Sequence, residues 1–250
     1  MAEREPVKRA IARTAKGVFT SLGLDVRRLA KSPGHTFLGL KSLKIRSILD
    51  IGANVGQFAR RASEAFPDAT LYCFEPLPDP FAALRTWAED AAPRRVRPFN
   101  LALGDAEGEL TFYRHVAHSD SSSLLKTTAE CEGDFPHTRD QVAETVRVRR
   151  LDSVMAELAT PPETELLVKL DVQGYEEHVL RGGPETLQRA AAVIIEVCLD
   201  PLYQGQATFE GLASLLGAHG LRYAGNLDQS YAEDGHVVFL DAVFRRHSSQ

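Results

Sequence analysis

Cysteine, methionine and tryptophan are scarce: 3, 2 and 1 among 250 residues. Cys73, Cys131 and Cys198 are odd in number and widely spaced, and none forms a C-x-x-C pair. That argues against a disulfide scaffold and a cysteine-based metal site, and predicts reduced thiols. No apolar run approaches the ~18–20 residues that span a bilayer, so no transmembrane helix is expected. The N-terminus lacks the apolar core of a secretory signal, which predicts a cytoplasmic protein. There is no internal repeat, and G-x-G-x-x-G of the dinucleotide-binding folds is missing.

Charge is present in both signs but unevenly placed. The net charge is −5. Residues 1–46 hold 11 Lys/Arg and 3 Asp/Glu, while the other 204 hold 18 and 31, a net of −13. An acidic body is a poor match for a nucleic-acid substrate, which needs a basic face. The basic start reads as an amphipathic helix from Glu5 to Leu22, with Val7, Ile11, Ala15, Val18, Phe19 and Leu22 at helical spacing. Such a helix packs on the domain or on a partner subunit. Alternatively it makes weak contact with an anionic membrane surface through Lys8, Arg9, Arg13 and Lys16. Ser32–Leu43, with Pro33 and Gly34, reads as a linker, so residues 1–44 are expected to be an extension and 45–246 the domain.

Within 45–246 the stretch Ser47–Gln57 sets the pattern: Ile48, Leu49 and Ile51 form an apolar run around Asp50, followed by Gly52 and Gly56 and a helical pattern from Asn54. That is strand, tight turn, helix. Gly52 and Gly56 let the backbone turn sharply and approach a ligand. Asn54 reads as an N-cap with Gln57 completing a capping box, and the helix start is expected to offer unpaired N–H groups to an anion. Strand and helix then alternate: Ile45–Ile51, Asn54–Phe66, Thr70–Glu75, Asp79–Ala91, Arg95–Asn100. The expected fold is α/β, a mostly parallel seven-stranded sheet with helices on both faces. Glu109–His115 and Glu144–Arg150 alternate apolar and polar residues, predicting a β-hairpin insertion after the third strand. Between them Val116–Gln141 reads as a Ser-rich lid. The rhythm resumes with Asp152–Leu158, Pro161-Pro162, Leu166–Asp171, Gly174–Leu180, Ala191–Val197 and Ala207–His219. It ends with Leu221–Ala224 and His236–Phe244 as a terminal pair with an antiparallel strand, before a frayed His247–Gln250.

With one G-x-x-x-G after Asp50, the ligand expected is an adenosyl compound without pyrophosphate, foremost S-adenosylmethionine. Glu75 ends the second strand, where a carboxylate accepts hydrogen bonds from both ribose hydroxyls. Asp50 faces the ligand crevice and is suited to a methionyl amine. Leu101 and Ala102 are placed to flank adenine. Asp171 ends the fourth strand at the point where strand order reverses. Lys169 shares its side of the strand and reads either as a buried partner of Glu196 or Asp171, or as a neighbour of catalytic carboxylates. His115 and His118 are candidate bases, as are Asp171 and Glu196. His115-x-x-His118 also invites a metal reading, and Asp120, Asp171 and Glu196 offer hard oxygens suited to Mg²⁺; no metal ligand set is assigned.

Several motifs then fall in order: Asp50-Ile-Gly-Ala-Asn-Val-Gly56, Phe74-Glu-Pro76, Ala102-Leu-Gly-Asp105 with Glu107-Gly108, Ser121-Ser-Ser-Leu-Leu125, Leu151-Asp152, Lys169-Leu-Asp-Val-Gln-Gly174 and Ile195-Glu-Val197. Together they resemble the FkbM-type methyltransferases from Ile45 to Val197. The resemblance implies a seven-stranded methyltransferase fold, S-adenosylmethionine as cofactor, and O-methylation of a hydroxyl on a sugar, glycolipid or natural product. It carries cofactor contacts onto Asp50, Gly52, Ala53, Asn54, Gly56, Glu75, Pro76, Leu101, Ala102 and Asp171. Gln173 stands where the family usually has glutamate, which removes a charge. The alternatives are an NAD-dependent oxidoreductase, or a non-catalytic adaptor on the same fold. Oligomeric state is open, a homo-oligomer included.

Overall fold

The structure is a computed structural model describing residues 18–24, 29, 32–91, 95–116, 119–158 and 165–246. Most of the amphipathic segment 5–22, His118, Pro161-Pro162 and the last four residues lie outside the described residues.

Ten strands are described: β1 (Ser47–Ile51), β2 (Thr70–Phe74), β3 (Val96–Phe99), β4 (Ala102–Gly104), β5 (Gly108–His115), β6 (Gln141–Arg150), β7 (Leu166–Leu170), β8 (Ala190–Cys198), β9 (Leu221–Tyr231) and β10 (Val237–Arg246). Seven of them make one sheet in the order β3-β2-β1-β7-β8-β10-β9. β10 runs antiparallel to both neighbours, and the remaining pairs are parallel. This is the expected α/β sheet. Its central strands are covered on both faces, which is why they read as continuous apolar runs. In β1 the period of two divides the layers. Ile48 joins one core with Leu71, Leu167 and Ile194, while Leu49 and Ile51 join the other with Phe74, Val168 and Ile195. Strand order reverses between β1 and β7, so their carboxyl ends open a crevice there.

The antiparallel pair β5–β6 forms as the alternation predicts. It does not extend the main sheet. β4 pairs in parallel with β6, giving a separate three-stranded sheet. Asp152 explains the Leu151-Asp152 motif structurally: its carboxylate accepts the Glu185 and Thr186 N–H groups, both at 2.9 Å, and so caps the helix Pro184–Arg189.

Three expectations change. Ser32–Leu43 is no linker: it forms the helical turns Pro33–Thr36 and Phe37–Ser42 and buries Phe37 and Leu40 against the main sheet's core. Asn54 is no N-cap: the helix is Gln57–Ala65, its N-cap is Gly56, and no side chain caps it. Asn54 instead adopts a left-handed φ of 47°, which short polar side chains tolerate. Val116–Gln141 is only partly loop, since it contains the turn Ser119–Ser121, the helix Ala129–Asp134 and the turn Pro136–Thr138. The helix starts at Thr128, whose hydroxyl accepts the Cys131 N–H, with Glu130 and Glu132 favourably placed in its first turn.

Candidate active site

The carboxyl ends of β1, β2, β7 and β8 converge on a cavity of about 520 Å³, with the 119–138 segment over it. Among the residues read from the sequence, Asp50, Gly52, Ala53, Asn54, Glu75, Pro76, Leu101, Ala102, Asp171 and Glu196 all line it. Gly56 does not. Its φ of 90° makes the turn into the helix, and a Cβ there would lie 3.1 Å from Leu84 and 3.4 Å from Trp87, so turning and packing both favour glycine there. His115 does not line the cavity either. Its buried ring lies behind the Ser119–Ser121 turn, with Nδ1 2.8 Å from Ser121 Oγ. Nε2 has no hydrogen-bond partner among the described residues, and burial holds the ring below the usual histidine pKa.

The β1–helix loop is fixed by a close approach. A Cβ on Gly52 would lie 1.8 Å from the Asp171 carbonyl oxygen, and its φ of 81° also favours glycine. The expected display of unpaired N–H groups is narrowed. Gly52 and Ala53 donate to the Phe74 carbonyl, Gly56 to Ala53, and Asn54 to Glu75 Oε2 at 2.9 Å. Glu75 Oε1 accepts the Leu77 N–H at 2.8 Å. Glu75 therefore knits the β1 and β2 loops together, and each oxygen retains a lone pair. Burial outweighs these bonds and lifts its pKa to about 7.

Asp50 is 1% exposed and its Oδ2 has no hydrogen-bond partner among the described residues. Burial is the main cause that pushes its pKa up to about 7; Asp171 and Glu75 add to this and Lys169 opposes it. Its register partner on β7 is Lys169. The Lys169 ammonium lies 3.2 Å from Asp171 Oδ2 and 3.0 Å from Asp241 Oδ1. Burial works against that charge, but Asp171, Asp241 and Glu196 more than offset it and raise the lysine pKa. Of the two alternatives read for Lys169, Asp171 and Glu196, the ion pair forms with Asp171, and Asp241 is a further carboxylate partner. Among the described residues, no three or more His, Cys, Asp or Glu are grouped to hold a metal ion. The cation amid these carboxylates is Lys169 itself.

Gln173 joins the two candidate carboxylates. Its amide nitrogen donates to Asp171 Oδ1 at 2.9 Å and to Glu196 Oε1 at 2.6 Å. Its amide oxygen accepts the Tyr203 hydroxyl at 2.5 Å. Burial, with Asp171 next, raises the Glu196 pKa well above the carboxylate range. A second wall comes from Cys131, Phe135, His137, Thr138, Leu202 and Phe239. Asp241, Tyr203 and His137 were not singled out from the sequence. Asp241 faces Glu196 because β10 pairs with β8 in that register, which no local motif announces.

Comparison with known proteins agrees with this architecture. The sequence profile of the methyltransferase FkbM domain matches residues 50–223. The 2-O-methyltransferase NoeI of Sinorhizobium fredii is 33% identical over 174 residues, covering 68% of this chain and 70% of the relative. The 31-O-demethyl-FK506 methyltransferase FkbM of Streptomyces tacrolimicus is 30% identical over 209 residues, covering 74% and 76%. The hexuronic acid methyltransferase AglP of Haloferax volcanii is 29% identical over 148 residues, covering 59% and 54%. A crystal structure of methyltransferase FkbM from Methylobacillus flagellatus superposes with a TM-score of 0.50 at 11% identity, over 82% of this chain and 47% of that one, a likeness of fold. This chain belongs to the FkbM methyltransferase family and is a methyl-transferring enzyme.

Proposed function

We propose that the chain is an O-methyltransferase that uses S-adenosylmethionine to methylate a hydroxyl of a sugar, glycolipid or natural-product acceptor. One observation carries the donor assignment: a buried carboxylate, Asp50, with an unpartnered oxygen at a cavity whose walls are acidic. An orphaned buried acid is costly unless something satisfies it, and an adenosyl donor bears an ammonium and a sulfonium. The residues present fit that donor. Asp50 would accept from the amine, Glu75 would use its remaining lone pairs on the ribose hydroxyls, and Pro76, Leu101 and Ala102 would flank the adenine. When bound, the donor supplies an already activated methyl group; the protein contributes alignment and the exclusion of water. The acceptor class draws support from relatives named for O-methylation.

Of the candidate bases, Glu196 is the one we assign. It lines the cavity and leaves Oε2 without a partner among the described residues, whereas Asp171 has both oxygens engaged. A carboxylate with a raised pKa is a better proton acceptor near neutrality than an ordinary one. We also propose that the start of the chain contacts an anionic membrane surface. Its support is the exposure of Val18, Phe19, Leu22, Leu24 and Leu29 beside a strongly basic sequence.

Calorimetry with S-adenosylhomocysteine tests the donor assignment. Saturable binding is expected, weakened at least about tenfold in Glu75→Ala, as loss of hydrogen bonds to a charged group implies. Absent binding, or an affinity unmoved by Glu75→Ala, would reject it.

A further inference from the structure

Building on the assignment of Glu196 as base, we infer that Gln173 and Tyr203 form an orientation lock that holds one oxygen of Glu196 and presents the other to the acceptor hydroxyl. Four observations carry this. The Gln173 amide spends both hydrogens on carboxylates of neighbouring strands, Asp171 at the end of β7 and Glu196 on β8. Tyr203 donates to the amide oxygen, so the nitrogen and oxygen ends cannot exchange without losing three bonds at once. The hub is held from behind, since the Gln173 carbonyl accepts the Ser123 hydroxyl at 2.7 Å and the Tyr203 hydroxyl also lies 3.0 Å from the Ser121 carbonyl. Finally, Gln173 adopts a φ of 57° and Gly174 a φ of 92°, where a Cβ on Gly174 would lie 2.8 Å from Tyr203 Cβ. A side chain other than glycine in the left-handed region is maintained only where its surroundings over-determine it.

The chemistry follows. The acceptor O–H bond breaks, its electron pair stays on the acceptor oxygen, and the proton passes to Glu196 Oε2. Gln173 touches neither the acceptor hydroxyl nor the Glu196 oxygen that takes the proton, and is a positioning residue. Its donated hydrogen bond favours the charged form of Glu196, countering the burial that favours the neutral acid. The other groups bearing on Glu196 are Asp171 and Lys169 from β7, Glu176 from the helix that follows, and Asp241 from β10. Gln173 holds one Glu196 oxygen while Asp171 stays paired to Lys169, which leaves the other Glu196 oxygen for the acceptor proton.

The test needs no acceptor. In the full chain carrying side-chain ¹³C-labelled glutamate, the Glu196 carboxyl resonance, identified by its loss in Glu196→Gln, is followed against pH. Gln173→Leu is expected to raise its midpoint by about 1–2 units, the equivalent of one hydrogen bond to a charged group. Tyr203→Phe should move it the same way by less, with affinity for S-adenosylhomocysteine held within about threefold. An unmoved midpoint in the folded variants overturns the lock, and if Gln173→Leu does not fold, Tyr203→Phe decides alone. Absent S-adenosylhomocysteine binding in the unaltered chain would reject the donor assignment instead, leaving the titration to judge the lock separately.

Discussion

Asp50 shows what the site demands of a single residue. Its carboxyl is buried, with one oxygen unpartnered among the described residues and its pKa lifted from 3.8 to about 7. In the unfolded chain it ionises near its ordinary value, so between about pH 4 and pH 7 the folded state binds more protons than the unfolded one. Stability therefore falls as pH rises through that window, and the loss is complete above it. Glu75 and Glu176, both lifted to about 7 chiefly by burial, act in the same direction. Asp50→Asn should stabilise the protein more at pH 8 than at pH 5, by an extra amount of order 1–3 kcal/mol, while weakening donor binding. Thermal denaturation at the two pH values reads the first effect, and an equal gain at both would show that Asp50 is not the buried acid described. Asp50 and Glu75 were legible in the sequence because one is an acid inside an apolar run and the other ends one. Asp241 and Tyr203 were not, since only the long-range register of β10 and the path of the chain after β8 deliver them. His115 illustrates the reverse: it resembled an active-site base and is packed behind Ser121.

At the scale of elements, the β1–turn–helix unit depends on the fit between two strand ends. Its existence was readable from the switch in period from two to 3.6, but its helix start was not. The left-handed conformations of Asn54 and Gly56 extend the turn to Gln57 and transfer the N-cap to a glycine. The helix Ala129–Asp134 escaped for another reason. Six residues show no amphipathic period, and their legible signal was the Thr128 cap with two acids after it. The same applies to β4, three residues whose strand character comes from pairing with β6. The fit at Gly52 yields a prediction. Gly52→Ala pushes a Cβ into the Asp171 carbonyl, 1.8 Å away, and no flexible side chain can yield there. The expected loss is about 2–4 kcal/mol, with donor binding lost alongside. Gly205 has nearly the same backbone, φ 80°, with nothing near its Cβ, so Gly205→Ala isolates the cost of the conformation alone, about 1 kcal/mol. Urea unfolding of the two variants measures the difference; similar midpoints would mean that the β1 and β7 ends are not in contact.

Across the whole molecule, charge is divided between its parts: residues 1–46 carry 11 basic and 3 acidic residues against a body with a net of −13. No described helix is long and apolar enough to cross a membrane. Val18, Leu22, Leu24 and Leu29 are nevertheless 53–67% exposed, an unusual density of bare aliphatic side chains in one short segment. Apolar side chains and basic charges reinforce each other only at a surface that is both greasy and anionic, each cation adding about 1 kcal/mol near such a surface. The acidic body would be repelled by the same surface, so the proposed contact would be confined to the chain's beginning. Co-sedimentation with vesicles of phosphatidylcholine containing phosphatidylglycerol should therefore retain the full chain, and vesicles of phosphatidylcholine alone should not. Raising the salt to about 0.5 M shortens the screening length to roughly half its physiological value and should release the chain. Phe19→Ser with Leu22→Ser should release it while leaving S-adenosylhomocysteine affinity unchanged, because neither residue lines the cavity. Retention by neutral vesicles, or retention indifferent to both salt and these substitutions, would refute an electrostatically assisted contact.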